Sequence, residues 1–86
     1  MSVTIINYFK DLNQLRSLRI QEAALKILKS RKKISASLFI TELIELLKSQ
    51  FLPSKKLIKE QIEWLIEREY MERDPKSPLE AYLYKA

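Results

Sequence analysis

The side chains that could do chemistry in this sequence are amines and carboxylates: 16 Lys and Arg stand against 11 Asp and Glu, with no His and no Cys. A Ser-His-Asp triad, a cysteine nucleophile and a Cys/His zinc site are therefore excluded. Glycine is also absent, which removes the phosphate-cradling loops, the dinucleotide fingerprint and the EF-hand loop. Paired carboxylates could still run acid–base chemistry. Glu60, Glu63 and Glu67 fall at helical spacing, but on one exposed face with no pocket in prospect, so an enzyme reading is rejected. What remains is a set of cations, Lys26, Lys29, Arg31, Lys32 and Lys33 in one run and Lys55 and Lys56 in another. Such a surface attracts nucleic acid, acidic protein or an anionic membrane.

The charge is unevenly spread. Residues 10–59 hold 12 basic and four acidic residues, a net +8, whereas residues 60–86 hold four basic and seven acidic ones, a net −3. Hydrophobic residues make up 47% of the chain and charged residues 31%, a composition that folds. Eighty-six residues suffice for one modest core. No apolar run approaches the roughly 20 residues of a membrane span. The opening MSVTIINYFKD lacks a basic region ahead of a long apolar stretch, so it is a poor signal peptide. The chain reads as soluble, intracellular and part of something longer, with neither cofactor nor metal.

The elements that must position these cations are three helices and a hairpin. Ile20, Ala23, Ala24, Ile27 and Leu28 form one helical stripe over about Leu15 to Ser30, with Glu22 four residues before Lys26 in the favourable orientation for an ion pair. Residues 1–14 form an N-terminal helical extension or linker, and residues 15–86 the domain proper; whether Thr4 to Asn13 continues the helix is open. Ser35 or Ser37 can cap a second helix carrying Phe39, Leu43, Leu46 and Leu47 and ending near Gln50. Phe51-Leu52-Pro53-Ser54 breaks it, and Ser54 can cap a third helix with Leu57, Ile58, Ile62, Leu65 and Ile66 on its stripe. Trp64 is expected in the core. Tyr70 to Arg73 and Ala81 to Tyr84 then read as strands around a turn at Asp74 to Pro78. A lone hairpin is marginal, and the stretch around Ile34 can supply a third strand. The order predicts an α+β winged helix, a three-helix core with a small C-terminal antiparallel hairpin as the wing.

Winged helices raise the question of DNA, read by the third helix in the major groove. Here that helix opens on Lys55, Lys56 and Lys59 but continues with Glu60, Glu63, Glu67 and Glu69, which phosphates would repel. Gln61 is its one side chain suited to a base edge. The wing offers Arg73 and Lys76 beside Glu72, Asp74 and Glu80. Nucleic acid is thus disfavoured, although a winged-helix binder using Lys26, Arg31, Lys32, Lys33 and Lys55 stands as the alternative. Lys55 and Lys56 also sit in a first helical turn, where the macrodipole prefers anions. The pair reads first as solvated lysines; the alternative reading is an acidic protein partner.

The stretch Ala24-Leu25-Lys26-Ile27-Leu28-Lys29-Ser30-Arg31-Lys32 resembles the modification-site motif of the cullins, scaffolds of multisubunit RING-type ubiquitin ligases. The similarity continues through Phe51-Leu52-Pro53, Ile58-Lys59, Ile62 to Asp74 and the tail Tyr82 to Ala86, covering roughly residues 15–86. Lys26 stands where arginine is usual, Leu28 where methionine is usual, and Lys85 where the tail is normally apolar. The resemblance implies a scaffold and substrate, not a catalyst, which accepts the ubiquitin-like modifier of neddylation on Lys29 through an isopeptide bond that activates the ligase. The partners it implies are that modifier, the RING subunit with the rest of the cullin C-terminal region, and the neddylation and deneddylation machinery, in cytoplasm and nucleus. It implies no membrane, and the isolated domain is expected to be monomeric. A partner-binding surface is expected at Lys26, Arg31, Lys32, Lys33, Lys55 and Lys56. If the helix persists past Lys29, Lys26 and Lys33 share its face, where like charges disfavour an ammonium while the helix terminus favours one.

Overall fold

The structure, a computed structural model, describes the backbone of residues 3–85 and the side chains of residues 12–85; Met1, Ser2 and the tail's Ala86 lie outside the described residues. Helix α1 runs Val3–Arg31, strand β1 Lys33–Ser35, helix α2 Ala36–Leu47, helix α3 Lys55–Glu67, strand β2 Met71–Arg73 and strand β3 Ala81–Tyr84. The segment upstream of Leu15 therefore continues α1. Strand order is β1-β3-β2, both pairings antiparallel, with Ile34 opposite Tyr82 and Met71 opposite Tyr84. The third strand expected around Ile34 is present: Ile34 is buried between exposed Lys33 and Ser35, the alternation a half-buried strand requires.

Each helix buries the stripe its spacing dictates. Ile20, Ala24, Ile27 and Leu28 of α1 meet Phe39, Leu43 and Leu47 of α2 and Ile58, Ile62 and Leu65 of α3. Leu46, placed on the apolar face of α2 by sequence, is 42% exposed. That helix also stops at Leu47, short of Gln50, where the Phe51 N–H already bonds back to the Leu47 carbonyl. Trp64 is not fully interior. It is half-buried at the edge of α3, stacked on Tyr70 at 6.1 Å with the Arg68 guanidinium 4.8 Å from its ring centroid. Glu22 pairs with Arg19 at 3.2 Å, not with Lys26.

Serines start the second and third helices. Ser35 Oγ accepts the Leu38 N–H at 3.3 Å and Ser54 Oγ the Leu57 N–H at 3.0 Å, each satisfying a first-turn donor with no helical partner. Helix ends normally use glycine in the left-handed region, and this chain has none. Lys32 (φ 65°) and Glu69 (φ 64°) take that role. After α3 the Tyr70 N–H reaches the Leu65 carbonyl and the Glu69 N–H the Ile66 carbonyl, the paired bonds of a Schellman turn. A side chain with a Cβ is strained there by about 1 kcal/mol. Glu69→Gly is therefore expected to raise the melting temperature by about 4–8 °C, read by circular dichroism; an unchanged or lower value would mean the turn carries no such strain.

The wing turn is organised by a buried carboxylate. Asp74, 4% exposed, accepts the Lys76 N–H on Oδ1 at 2.9 Å and the Lys33 ammonium on Oδ2 at 2.9 Å. Lys33's hydrogen bond, then that of the Lys76 N–H, hold the Asp74 carboxyl below its ordinary 3.8, against the opposing effect of burial. A carboxyl with a depressed folded-state pKa contributes stability that is fully present above its unfolded value and disappears as pH falls through the folded one. Asp74→Asn is expected to melt below wild type at neutral pH, and the gap should close as pH drops below 3.8. A gap independent of pH would assign the loss to shape, not charge.

Candidate functional site

Lys29 lies in the last turn of α1 and is exposed, directly after Ile27 and Leu28, which are 5% and 0% exposed. Helical spacing is the cause: Ala24, Ile27 and Leu28 fill the core-facing stripe, and the next residue turns to solvent. Lys29 and Arg31 are the basic residues of this turn, where the negative end of the macrodipole favours cations. Among the described residues Lys29 forms no ion pair.

The cations after it are engaged. Arg31 grips Glu42 of α2 with both arms of its guanidinium, Nε donating to Oε2 at 3.0 Å. The Lys32 ammonium sits 5.0 Å from the Tyr84 ring centroid on β3. Lys33 holds Asp74 of the wing turn. The helix does not persist to Lys33: the left-handed turn at Lys32, whose N–H bonds the Leu28 carbonyl at 2.7 Å, redirects the chain into β1. Lys33 is thus no neighbour of Lys29 on a helical face, and only Lys26 precedes it there.

The six cations assigned to a partner surface are divided by the fold. Lys26, Arg31 and Lys33 line a cleft of about 710 Å³ between α1 and α2, with Glu42 and Glu45 on its far wall. Lys32 belongs to the Tyr84 contact. Lys55 borders a separate groove with Lys59, Ile58 and Tyr82, and Lys56 a third beside Arg16 and Pro53. Position also disfavours α3 as a groove-reading helix. Gln61 is 7% exposed, its amide oxygen accepting from Gln21 Nε2 at 2.7 Å and its Nε2 donating to Ser17 Oγ at 3.2 Å. It fixes α3 against α1 and is unavailable to a base. Glu60, Glu63 and Glu67 face solvent on the same helix, and Arg73 of the wing is spent on Glu63 at 2.5 Å.

Three features were beyond sequence reasoning: the left-handed turn at Lys32, the Lys33–Asp74 contact, and an apolar groove reaching Ile40 and Tyr82. The first lacks its usual signal because there is no glycine. The second had a faint one, an Asp at the head of a Pro-containing turn.

Three helices with a three-stranded sheet closed by a β2–β3 turn define a winged-helix domain, one whose first helix carries an exposed lysine in its last turn. Over residues 15–77 the sequence matches the cullin protein neddylation domain. The chain belongs to that family. It is 56% identical over 59 residues to Cullin-5 of Caenorhabditis elegans, an alignment spanning 69% of this chain and 8% of that protein. The backbone superposes on a chain of the solved structure described as "A Dual E3 Mechanism for Rub1 Ligation to Cdc53: Dcn1(P)-Cdc53(WHB)" with a TM-score of 0.87, covering 100% of this chain and 96% of that one at 22% identity. That likeness supports the fold.

Proposed function

We propose that this chain is the neddylation-accepting domain of a cullin scaffold in a RING-type ubiquitin ligase, and that Lys29 is its isopeptide acceptor. The observation that carries the reading is a solvent-facing lysine without an ion-pair partner among the described residues, on a helix end whose neighbours Ile27 and Leu28 are locked in the core. Its position inside the family-matched span supports it.

The chemistry asked of Lys29 is aminolysis. The neutral amine attacks the carbonyl of the modifier's thioester, the C–N bond forms, the C–S bond breaks, and the thiolate leaves on the conjugating enzyme. An ordinary lysine holds its proton at neutral pH, so a base must take it. With no carboxylate paired to Lys29 among the described residues, that base comes with the enzyme carrying the thioester. This chain contributes a fixed, unobstructed amine. The conjugate then acts within the larger scaffold, beside the RING subunit, in cytoplasm and nucleus.

Mapping by mass spectrometry after incubation with the modifier and its conjugating enzymes is expected to place the isopeptide remnant on Lys29. A remnant on Lys26 or Lys32 with Lys29 bare would overturn the assignment.

A further inference from the structure

The groove lined by α2, α3, β2 and β3 has the makings of a second docking site. Its floor is apolar: Ile58 and Ile62 of α3 at the bottom, Tyr82 of β3 on one wall, and Ile40 of α2, 37% exposed, at the mouth. Its volume is about 330 Å³, the lower end of the range of ligand-binding clefts. The rim is cationic. Lys55 and Lys59, four residues apart and so on one face of α3, border it and form no ion pair among the described residues, and Arg73 borders it with its partner Glu63.

The cations sit against the helix's own field. The first turn of α3 contains Lys55 and Lys56 and no acidic residue, although its free N–H groups and macrodipole favour anions. Side chains, backbone donors and dipole thus add to a positive potential beside an apolar floor. An aliphatic ligand satisfies the floor alone, and a polyanion satisfies the rim alone. Nucleic acid is further opposed by Glu60, Glu63 and Glu67 along the same helix.

We propose that the groove between α3, β3 and α2 receives a short acidic amphipathic segment of a partner protein. Two large apolar side chains on successive turns of that segment enter between Ile40 and Ile62, and its flanking carboxylates meet Lys55 and Lys59. The site lies away from Lys29, draws no lining residue from α1, and does not depend on the acceptor role of that lysine.

The test uses the 86-residue chain, nitrogen-15 labelled, titrated with a synthetic peptide alternating Leu/Phe with Glu at helical spacing. A control peptide carries Lys for every Glu, and a second control is duplex DNA. Saturable chemical-shift changes are expected at Ile40, Lys55, Ile58, Lys59, Ile62 and Tyr82, with none from the lysine peptide. Lys55→Glu/Lys59→Glu is expected to weaken binding at least about tenfold, and it should still fold, because both side chains are exposed and a carboxylate suits position 55 in the first helical turn. Ile40→Ser should weaken it without changing charge. Equal binding of the lysine peptide, shifts confined to other surfaces, indifference to both variants, or stronger lysine-dependent binding of the DNA would each overturn the proposal.

Discussion

Lys29→Arg is expected to abolish conjugation of the ubiquitin-like modifier in a reconstituted neddylation reaction and to leave the melting temperature of the domain unchanged. Arginine keeps the positive charge in the last turn of α1 and so preserves the favourable interaction with the helix terminus. Its guanidinium does not give up a proton under any condition in which the protein is folded, so it has no nucleophilic form. The substitution therefore removes the reaction and little else. Lys26→Arg and Lys32→Arg serve as controls: Lys26 lines the cleft between α1 and α2 and Lys32 lies over the Tyr84 ring, and both variants should be modified at close to the wild-type rate. Wild-type conjugation of Lys29→Arg would remove Lys29 from the reaction.

The largest effect on stability is expected from Phe39→Ala. Phe39 is completely buried, and its ring meets Tyr82 at 5.5 Å between centroids with 60° between planes, an edge-inclined contact that joins α2 to β3. Removing a buried phenyl group costs about 3–5 kcal/mol. A domain of this length holds about 4–13 kcal/mol in total at 0.05–0.15 kcal/mol per residue. The variant should lose at least about 12 °C of melting temperature and fold only in part at physiological temperature. Leu46→Ala provides the contrast. Leu46 belongs to the same helix but lies on the surface, so its cost should stay within about 0.5 kcal/mol. Comparable losses from the two would mean that α2 is not held by its Phe39 face.

Most of the fold was legible because the buried apolar residues of each helix recur at helical spacing. Ile20, Ala24, Ile27 and Leu28 could be read as one face because nothing but a helix brings those spacings together. The serines at 35 and 54 marked two helix starts because few residues can satisfy a first-turn N–H. Helix ends were harder. The end of the first helix near Ser30 and a strand around Ile34 were expected, but with glycine absent, Lys32 and Glu69 adopt conformations that their residue types do not advertise, so the left-handed turns that close α1 and α3 had no local signature. Leu46 and Trp64 show the same limit from another side, since a stripe fixes direction but not how far the neighbouring element covers it.

The position of Lys29 could be read from its motif, and its exposure follows from the two core residues before it. The grouping of the other cations could not be read. Lys26, Lys33 and Lys55 look alike in sequence, yet one lines a cleft, one is tied to a buried carboxylate, and one borders an apolar groove. Those differences arise between elements distant in sequence. Gln61, the one residue suited to reading a base, is spent for the same reason on joining α1 to α3.

Arg31, Lys32 and Lys33 fasten the end of α1 to α2, to the last strand and to the wing turn, one residue to each. On the acceptor role proposed for Lys29, its cargo is consequently mounted on a braced post, and a pull or twist on it is shared by three anchorages. The give in such a linkage resides in the lysine's own methylenes and in the tail of whatever is attached.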